Sequence, residues 1–295
     1  MAIHQTQRRK TAERTNEMTK EENLKAVADV LVPMTRDEYF TASENRMVVT
    51  PENISGLLEY PALFHAMQEN RELRPALSEA MTTGRALTDF LSMPAEEFLQ
   101  TYAVVDGPVN PKTNKPYGTD TKVYAEWRAS QEKIPVSTEQ YNMFGKMAVA
   151  YNDHAFVKSL AEYGRMRNVV LKANVCDVPC MCRIDSLYIS PEGKSVTAVD
   201  IKTTSDLCTF HRAAESLYYR EQQALILLIL AANGFDRAQT RIAAIEKGPM
   251  PRCGVFEVKD MATGPVAAVN KALQDYATDA LTGKYSTRFE APQLI

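Results

Sequence analysis

The segments Cys180-Met-Cys-Arg-Ile-Asp-Ser-Leu-Tyr-Ile189 and Ser195-Val-Thr-Ala-Val-Asp-Ile-Lys-Thr203 carry the signature of the fold. Both alternate and are rich in β-branched residues, which predicts two strands. Pro191-Glu192-Gly193-Lys194 supplies the turn between them, so the strands are expected to be antiparallel neighbours. Val169 to Val175 predicts a further strand upstream. Downstream come a long helix from about Phe210 to Ala232, closed by Asn233-Gly234, then strands at Arg241–Glu246 and Gly254–Val258 and a last helix from Ala262 to Leu281.

Upstream of this block the pattern is helical. Thr50-Pro51 predicts a helix start, Leu77–Leu91 a second helix containing Gly84-Arg85-Ala86-Leu87-Thr88-Asp89, and Met93-Pro94 the start of a third. Residues 105–121 read as a long loop. Ser137 and Gln140 match a capping box that opens a helix to about Tyr151, and another helix is expected from Asp153 to Tyr163. Helices, then strands, helix, strands and helix predict one α/β domain: a mixed central sheet flanked by helices, with an N-terminal helical addition. The expected divisions are an N-terminal extension at 1–49, a helical part at about 50–165 and a sheet core at about 166–295.

Composition permits this. The 295 residues are 45% hydrophobic and 24% charged, enough for an ordinary core, and the net charge of −3 excludes an overall basic coat but not a local basic channel. The longest apolar run, Ala224 to Ala232, falls far short of the roughly 20 residues of a membrane span. The polar start, MAIHQTQRRK, shows no apolar leader, so a reducing cytoplasm is expected, and residues 1–20 read as a mobile tail with a basic cluster at Arg8-Arg9-Lys10. A short helix is expected near Glu22 to Val32.

The chemistry lies in Asp185, Asp200 and Lys202. Alternation on a strand sends Asp200 and Lys202 to one side and Ile201 into the core on the other. Across a tight hairpin, Asp185 faces Asp200. Adjacent carboxylates repel, and a divalent cation with oxygen ligands removes that cost. Such a cation polarises phosphate and acidifies a bound water, while Lys202 offsets charge on the phosphate. The competing reading is a cross-strand ion pair on a solvated face. The apolar surroundings of Ala198-Val199-Asp200-Ile201 predict a central strand instead, where charges need a reason.

These segments, with Tyr218-Tyr-Arg-Glu-Gln-Gln-Ala-Leu-Ile226, the stretch from Ile242 to Val258, the C-terminal helix and the helical stretches near residues 54–64, 84–98 and 146–164, resemble the RecE-type exonucleases (exodeoxyribonuclease VIII and phage relatives) of the PD-(D/E)XK class. The resemblance covers most of the chain from about residue 50. It implies Mg²⁺-dependent hydrolysis of linear double-stranded DNA from the 5′ end, with Mn²⁺ as a substitute. It also implies a bacterial host cytoplasm, a phage or prophage origin, a RecT-like single-strand annealing partner and a homo-oligomeric ring. By motif, Asp185, Asp200 and the backbone carbonyl of Ile201 would hold the metal, with Lys202 the catalytic lysine and Gln222 holding water or substrate. Tyr219, Arg165, Arg167, Arg183 and Thr203 are the expected DNA contacts.

Two positions differ from the family. Thr88 stands where a His is usual, and Arg167 where a metal-binding Glu is usual; Asp89 and Glu162 are the carboxylates available to compensate. These differences define the alternative, a catalytically weakened relative that binds DNA or a recombination partner. An endonuclease on the same core is a third option. The five cysteines have no metal-type spacing and read as buried thiols, and the four histidines are scattered. Trp127, Tyr124 and Tyr117 read as packing residues of a helix after the long loop, with base stacking as the other possibility.

Overall fold

The computed structural model describes residues 30–35, 38–41, 48–73, 78–191, 193 and 195–287. The expected mobile tail, its basic cluster and most of the expected helix at 22–32 lie outside these residues. Residues 30–35 form a turn and irregular backbone instead of a helix, and the amide of Val32 donates to the carbonyl of Val170 at 2.9 Å.

Helices α1 (Ile54–Glu59), α2 (Pro61–Glu69), α3 (Glu79–Ser92) and α4 (Ala95–Thr101) come first. Strand β1 (Tyr102–Val104) follows, then a ribbon of β2 (Val109–Asn110) and β3 (Lys115–Pro116), helix α5 (Lys122–Ala129) and β4 (Ile134–Val136). β4 returns to pair in parallel with β1. Helices α6 (Thr138–Asp153) and α7 (Ala155–Ser159) lead into β5 (Gly164–Val175), β6 (Val178–Ile189) and β7 (Val196–Thr204). Helices α8 (Phe210–Ser216) and α9 (Tyr219–Ala232), strands β8 (Ala238–Glu246) and β9 (Cys253–Phe256) and helix α10 (Pro265–Thr282) complete the chain.

β5 to β9 form one five-stranded sheet in sequence order. The β7/β8 pair is parallel and the other three pairs are antiparallel, so the sheet is mixed, as expected. A parallel pair needs a crossover, and α8 and α9 provide it. On one face Leu187 and Ala198 pack with Leu225 and Ile229 of α9, Leu273 of α10 and Leu57 of α1. On the other, Val199, Ile201 and Ala243 pack with Leu87 of α3 and Phe144, Met147 and Tyr151 of α6. β7 is therefore covered on both sides.

The expected capping box is complete: Ser137 Oγ accepts from the Gln140 amide at 3.1 Å, and Gln140 Oε1 accepts from the Ser137 amide at 3.0 Å. Other boundaries differ from expectation. α1 is preceded by Asn53 rather than starting at Thr50-Pro51, because Val49 is held in a bridge to Cys180 and the Asn53 side chain closes a turn on the Thr50 amide. The helix expected at 153–163 shortens to α7, and β5 starts at Gly164, which puts Arg165 and Arg167 on a strand. The loop at 105–121 contains the small β2/β3 ribbon. The single helix expected at 210–232 is two helices, because Tyr218 adopts a left-handed backbone at φ 56°. No helix among the described residues is long and apolar enough to cross a membrane.

Candidate active site

β7 delivers its charges as strand alternation requires. Ile201 enters the core beside α3 and α6, while Asp200 and Lys202 meet α9. Lys202 Nζ lies 3.1 Å from Asp200 Oδ2, donates to Gln222 Oε1 at 3.0 Å and sits 4.7 Å from the centre of the Tyr219 ring. Gln223, the next residue of α9, donates through Nε2 to Asp200 Oδ2 at 2.8 Å. The break at Tyr218 contributes: Leu217, freed from a continuous helix, offers its carbonyl to Gln222 Nε2 at 3.2 Å. That bond leaves the amide oxygen of Gln222 for the lysine.

Asp185 sits where β6 loses its ladder on both sides. Pairing with β7 runs from Ile189↔Val196 to Ser186↔Val199, and the next rung would set Asp185 opposite Asp200. There, instead of a strand carbonyl, Asp185 Oδ2 accepts the Ile201 amide at 2.8 Å. Towards β5 the pairing passes from Arg167↔Ser186 to Val169↔Ile184 and omits Asn168, whose φ is 53°. A non-glycine residue in this region is uncommon and marks a held conformation. The other oxygen, Asp185 Oδ1, lies 3.3 Å from Arg183 Nη1.

Burial raises the Asp185 carboxyl to about 6; Arg183 opposes this, and the charge of Asp200 adds to it. The two carboxylates therefore sense each other across the strands. Burial works against the Lys202 ammonium, yet Asp200, Tyr219 and Asp185 outweigh it and hold the lysine above its ordinary range. Burial likewise raises the Tyr219 phenol, partly offset by Lys202.

Asp200, Lys202, Gln222, Gln223 and Tyr219 thus form one contacting group, with Asp185 tied to β7 beside it through the Ile201 amide. The remaining sequence-predicted contacts are placed differently. Arg183 is turned inward, its side chain only 9% exposed, bridging Asp185 and the fully buried Asp89 of α3. Arg165 is engaged by Ser186 Oγ at 2.8 Å and by the rings of Tyr188 and Tyr151. Arg165 and the exposed Arg167 line a groove of about 620 Å³ between β5 and residues 31–34. Thr203 faces α3, where a Cβ on Gly84 would meet its hydroxyl in ordinary van der Waals contact at 3.7 Å. Thr88, also on α3, is buried and returns its hydroxyl to the Gly84 carbonyl at 3.0 Å. Glu162 is exposed on the turn before β5. Tyr124 and Trp127 pack on each other, 5.2 Å between ring centres, on a helix with no buried residue.

Sequence reasoning missed Gln223, Asn168 and Tyr102. The double glutamine was visible, but only the helix–strand register assigns one to Lys202 and the other to Asp200. Tyr102 donates to Asp89 Oδ2 at 2.6 Å, a pairing between elements that no periodicity reveals.

Among the described residues no three His, Cys, Asp or Glu side chains cluster as a metal site, and all five cysteines are free thiols: Cys180 and Cys182 are buried as expected, whereas Cys176 and Cys253 are only half-buried and Cys208 is exposed. The oxygen donors nonetheless fit a hard divalent cation. Asp200 Oδ2 is used by Lys202 and Gln223, while its Oδ1 has no partner among the described residues. Gln223 Oε1, on the amide bonded to Asp200, is buried and equally without a partner. Unsatisfied oxygens beside a mutually repelling carboxylate pair can be relieved by a cation or water.

No protein-family model matches this sequence, and no curated protein does. A match in the solved structures is the crystal structure of a "Putative exonuclease" from Eubacterium rectale, with a TM-score of 0.57 and 11% identity over 90% of this chain and 96% of that chain. A second, SSO0001, has a TM-score of 0.36 at 12% identity over 86% and 84% of the two chains, too low to carry an argument. The chain therefore shares the fold of the E. rectale protein, a mixed sheet flanked by helices.

Proposed function

We propose that the chain is a Mg²⁺-dependent deoxyribonuclease of the PD-(D/E)XK class that degrades linear double-stranded DNA as an exonuclease. The observation that carries this is the convergence of Asp200 and Lys202 on α9, with Asp185 one rung away. The likeness of fold to a protein described as an exonuclease points the same way. The finer features belong to the resemblance to RecE-type enzymes: 5′ to 3′ polarity, a phage or prophage origin, a RecT-like annealing partner and a ring of subunits.

Asp185, Asp200 and the Ile201 carbonyl would hold the cation. When bound it supplies charge neutralisation and an acidified water. Lys202, kept protonated by Asp200, places a positive charge where phosphate negative charge grows. Gln222 fixes the direction of Nζ, and the Tyr219 ring lies beneath it. Gln223 orients the Asp200 carboxylate. The groove carrying Arg165 and Arg167 is suited to backbone phosphates.

The test is release of nucleotides from linear duplex DNA with Mg²⁺ or Mn²⁺, absent in chelator and strongly reduced in Lys202→Ala. No digestion with either ion defeats the proposal, and cutting of closed circles replaces exonuclease by endonuclease. The second reading, a DNA- or partner-binding relative with weakened catalysis, is favoured by one observation: Arg183 already sits against Asp185. Metal-independent DNA binding without hydrolysis selects it.

A further inference from the structure

Arg183 is divided between two acids. Nη1 lies 3.3 Å from Asp185 Oδ1, and Nη2 lies 3.3 Å from Asp89 Oδ1. The second nitrogen also donates to Asn168 Oδ1 at 2.5 Å. Asp89 is fully buried and its other oxygen is taken by the Tyr102 hydroxyl at 2.6 Å. Asn168, with its left-handed backbone, occupies the omitted rung beside Asp185. Helix α3, strand β1 and the β5 irregularity thus all hold one end of the guanidinium away from Asp185, while the other end neutralises it. An arginine drawn fully onto Asp185 would form a two-pronged pair and occupy both carboxylate oxygens. The pairing present is single-pronged, and Asp185 keeps Oδ2 on the Ile201 amide.

We propose that Arg183 is a built-in counter-cation shared between Asp89 and Asp185, and that Asp89 and Asn168 hold it half off Asp185 so that a divalent cation can take its place. Asp89 and Asn168 are positioning residues: they set how readily the site exchanges its internal cation for a metal. This rests on the cation-dependent reading of Asp185 and Asp200. It also gives a specific use to a buried carboxylate on α3 that is not a ligand. The arrangement links α3 to the metal site, because occupancy by metal leaves the arginine to Asp89 and Asn168.

Titration calorimetry of Mn²⁺ into the full chain without DNA tests this, with Asp200→Asn as the control that abolishes binding. Partners of ligands typically change metal affinity by about tenfold or more. Arg183→Met should tighten Mn²⁺ binding by about tenfold, whereas Asp89→Asn and Asn168→Gly should weaken it by about tenfold or less, because each lets the arginine settle on Asp185. In the Arg183→Met background, Asp89→Asn should have no further effect. Weaker or unchanged binding in folded Arg183→Met overturns the proposal, as does an equal loss from Asp89→Asn in both backgrounds. Circular dichroism checks folding. If Arg183→Met does not fold, Asn168→Gly decides: it removes no charge, glycine tolerates the backbone, and unchanged affinity refutes the latch. Failure of the wild type itself to bind Mn²⁺ removes both the latch and the metal-dependent reading. Binding that depends on Asp200 but ignores Arg183 removes the latch alone.

Discussion

Replacing Asp185 with asparagine should make the metal-free protein more stable, although it removes a charge from the proposed catalytic centre. The carboxyl rises from an ordinary 3.8 to about 6 because burial and Asp200 penalise its ionised form more than Arg183 and the Ile201 amide favour it. A carboxyl raised on folding contributes stability that is fully present below its unfolded pKa and is lost as the pH rises through the folded one. The loss therefore develops between 3.8 and about 6 and is complete above that. At about 1.36 kcal/mol per tenfold, the difference corresponds to about 3 kcal/mol. The Asn168 and Asp89 partners of Arg183 survive the substitution, and asparagine retains an oxygen for the Ile201 amide, but its NH₂ group faces a guanidinium. A gain of about 1–3 kcal/mol remains, or about 2–6 °C in melting temperature for a chain of this size. Thermal melts in chelator at about pH 8 should show the variant above the wild type, with the gap closing as the pH falls from about 6 towards about 4. Saturating Mg²⁺ should reverse the order, because the cation stabilises only the form that binds it. An asparagine variant less stable than the wild type at about pH 8 in chelator would show that the buried carboxylate is net favourable.

Lys202→Ala should lower duplex digestion by a factor on the order of 10² or more, measured as initial rate, while leaving duplex binding in Ca²⁺ largely intact. Gln223→Leu should weaken Mn²⁺ binding by about tenfold, read by calorimetry, since Asp200 loses its amide donor. Brief treatment with iodoacetamide followed by mass spectrometry should label the exposed Cys208 first; burial pushes the Cys180 thiol up to about 12 and the Cys182 thiol higher still, so these react only on unfolding. Ser137→Ala removes one half of the α6 capping box and should cost about 1 kcal/mol, seen as a lower denaturation midpoint at unchanged slope.

The sheet and the placement of the charged residues on β7 were legible because both depend on short-range patterns. Alternation fixes which side of β7 carries Asp200, and the capping residues Ser137 and Gln140 bond to backbone only three positions away. What escaped was irregular or long-range. Asn168 and Tyr218 adopt left-handed conformations that their residue types seldom announce, and each reorganises its neighbourhood: one interrupts the β5/β6 ladder, the other divides a helix. The inward turn of Arg183 depends on Asp89, which is remote in sequence and lies on another layer of the fold. A charged residue beside a presumed site reads as a phosphate contact until the three-dimensional arrangement reveals an acid behind it.

The paired glutamines of α9 have a geometric corollary. Consecutive residues on a helix diverge by about 100°, whereas alternate residues on a strand stand about 6.6 Å apart on one side. The Lys202 ammonium closes that gap by folding to 3.1 Å from Asp200 Oδ2, so two adjacent side chains of α9 reach both groups from a single turn. Gln222 and Gln223 therefore act like a two-tooth gear on β7. Deleting one residue between Tyr219 and Gln222 would rotate both teeth out of mesh together, so Lys202 and Asp200 would lose their partners in a single step.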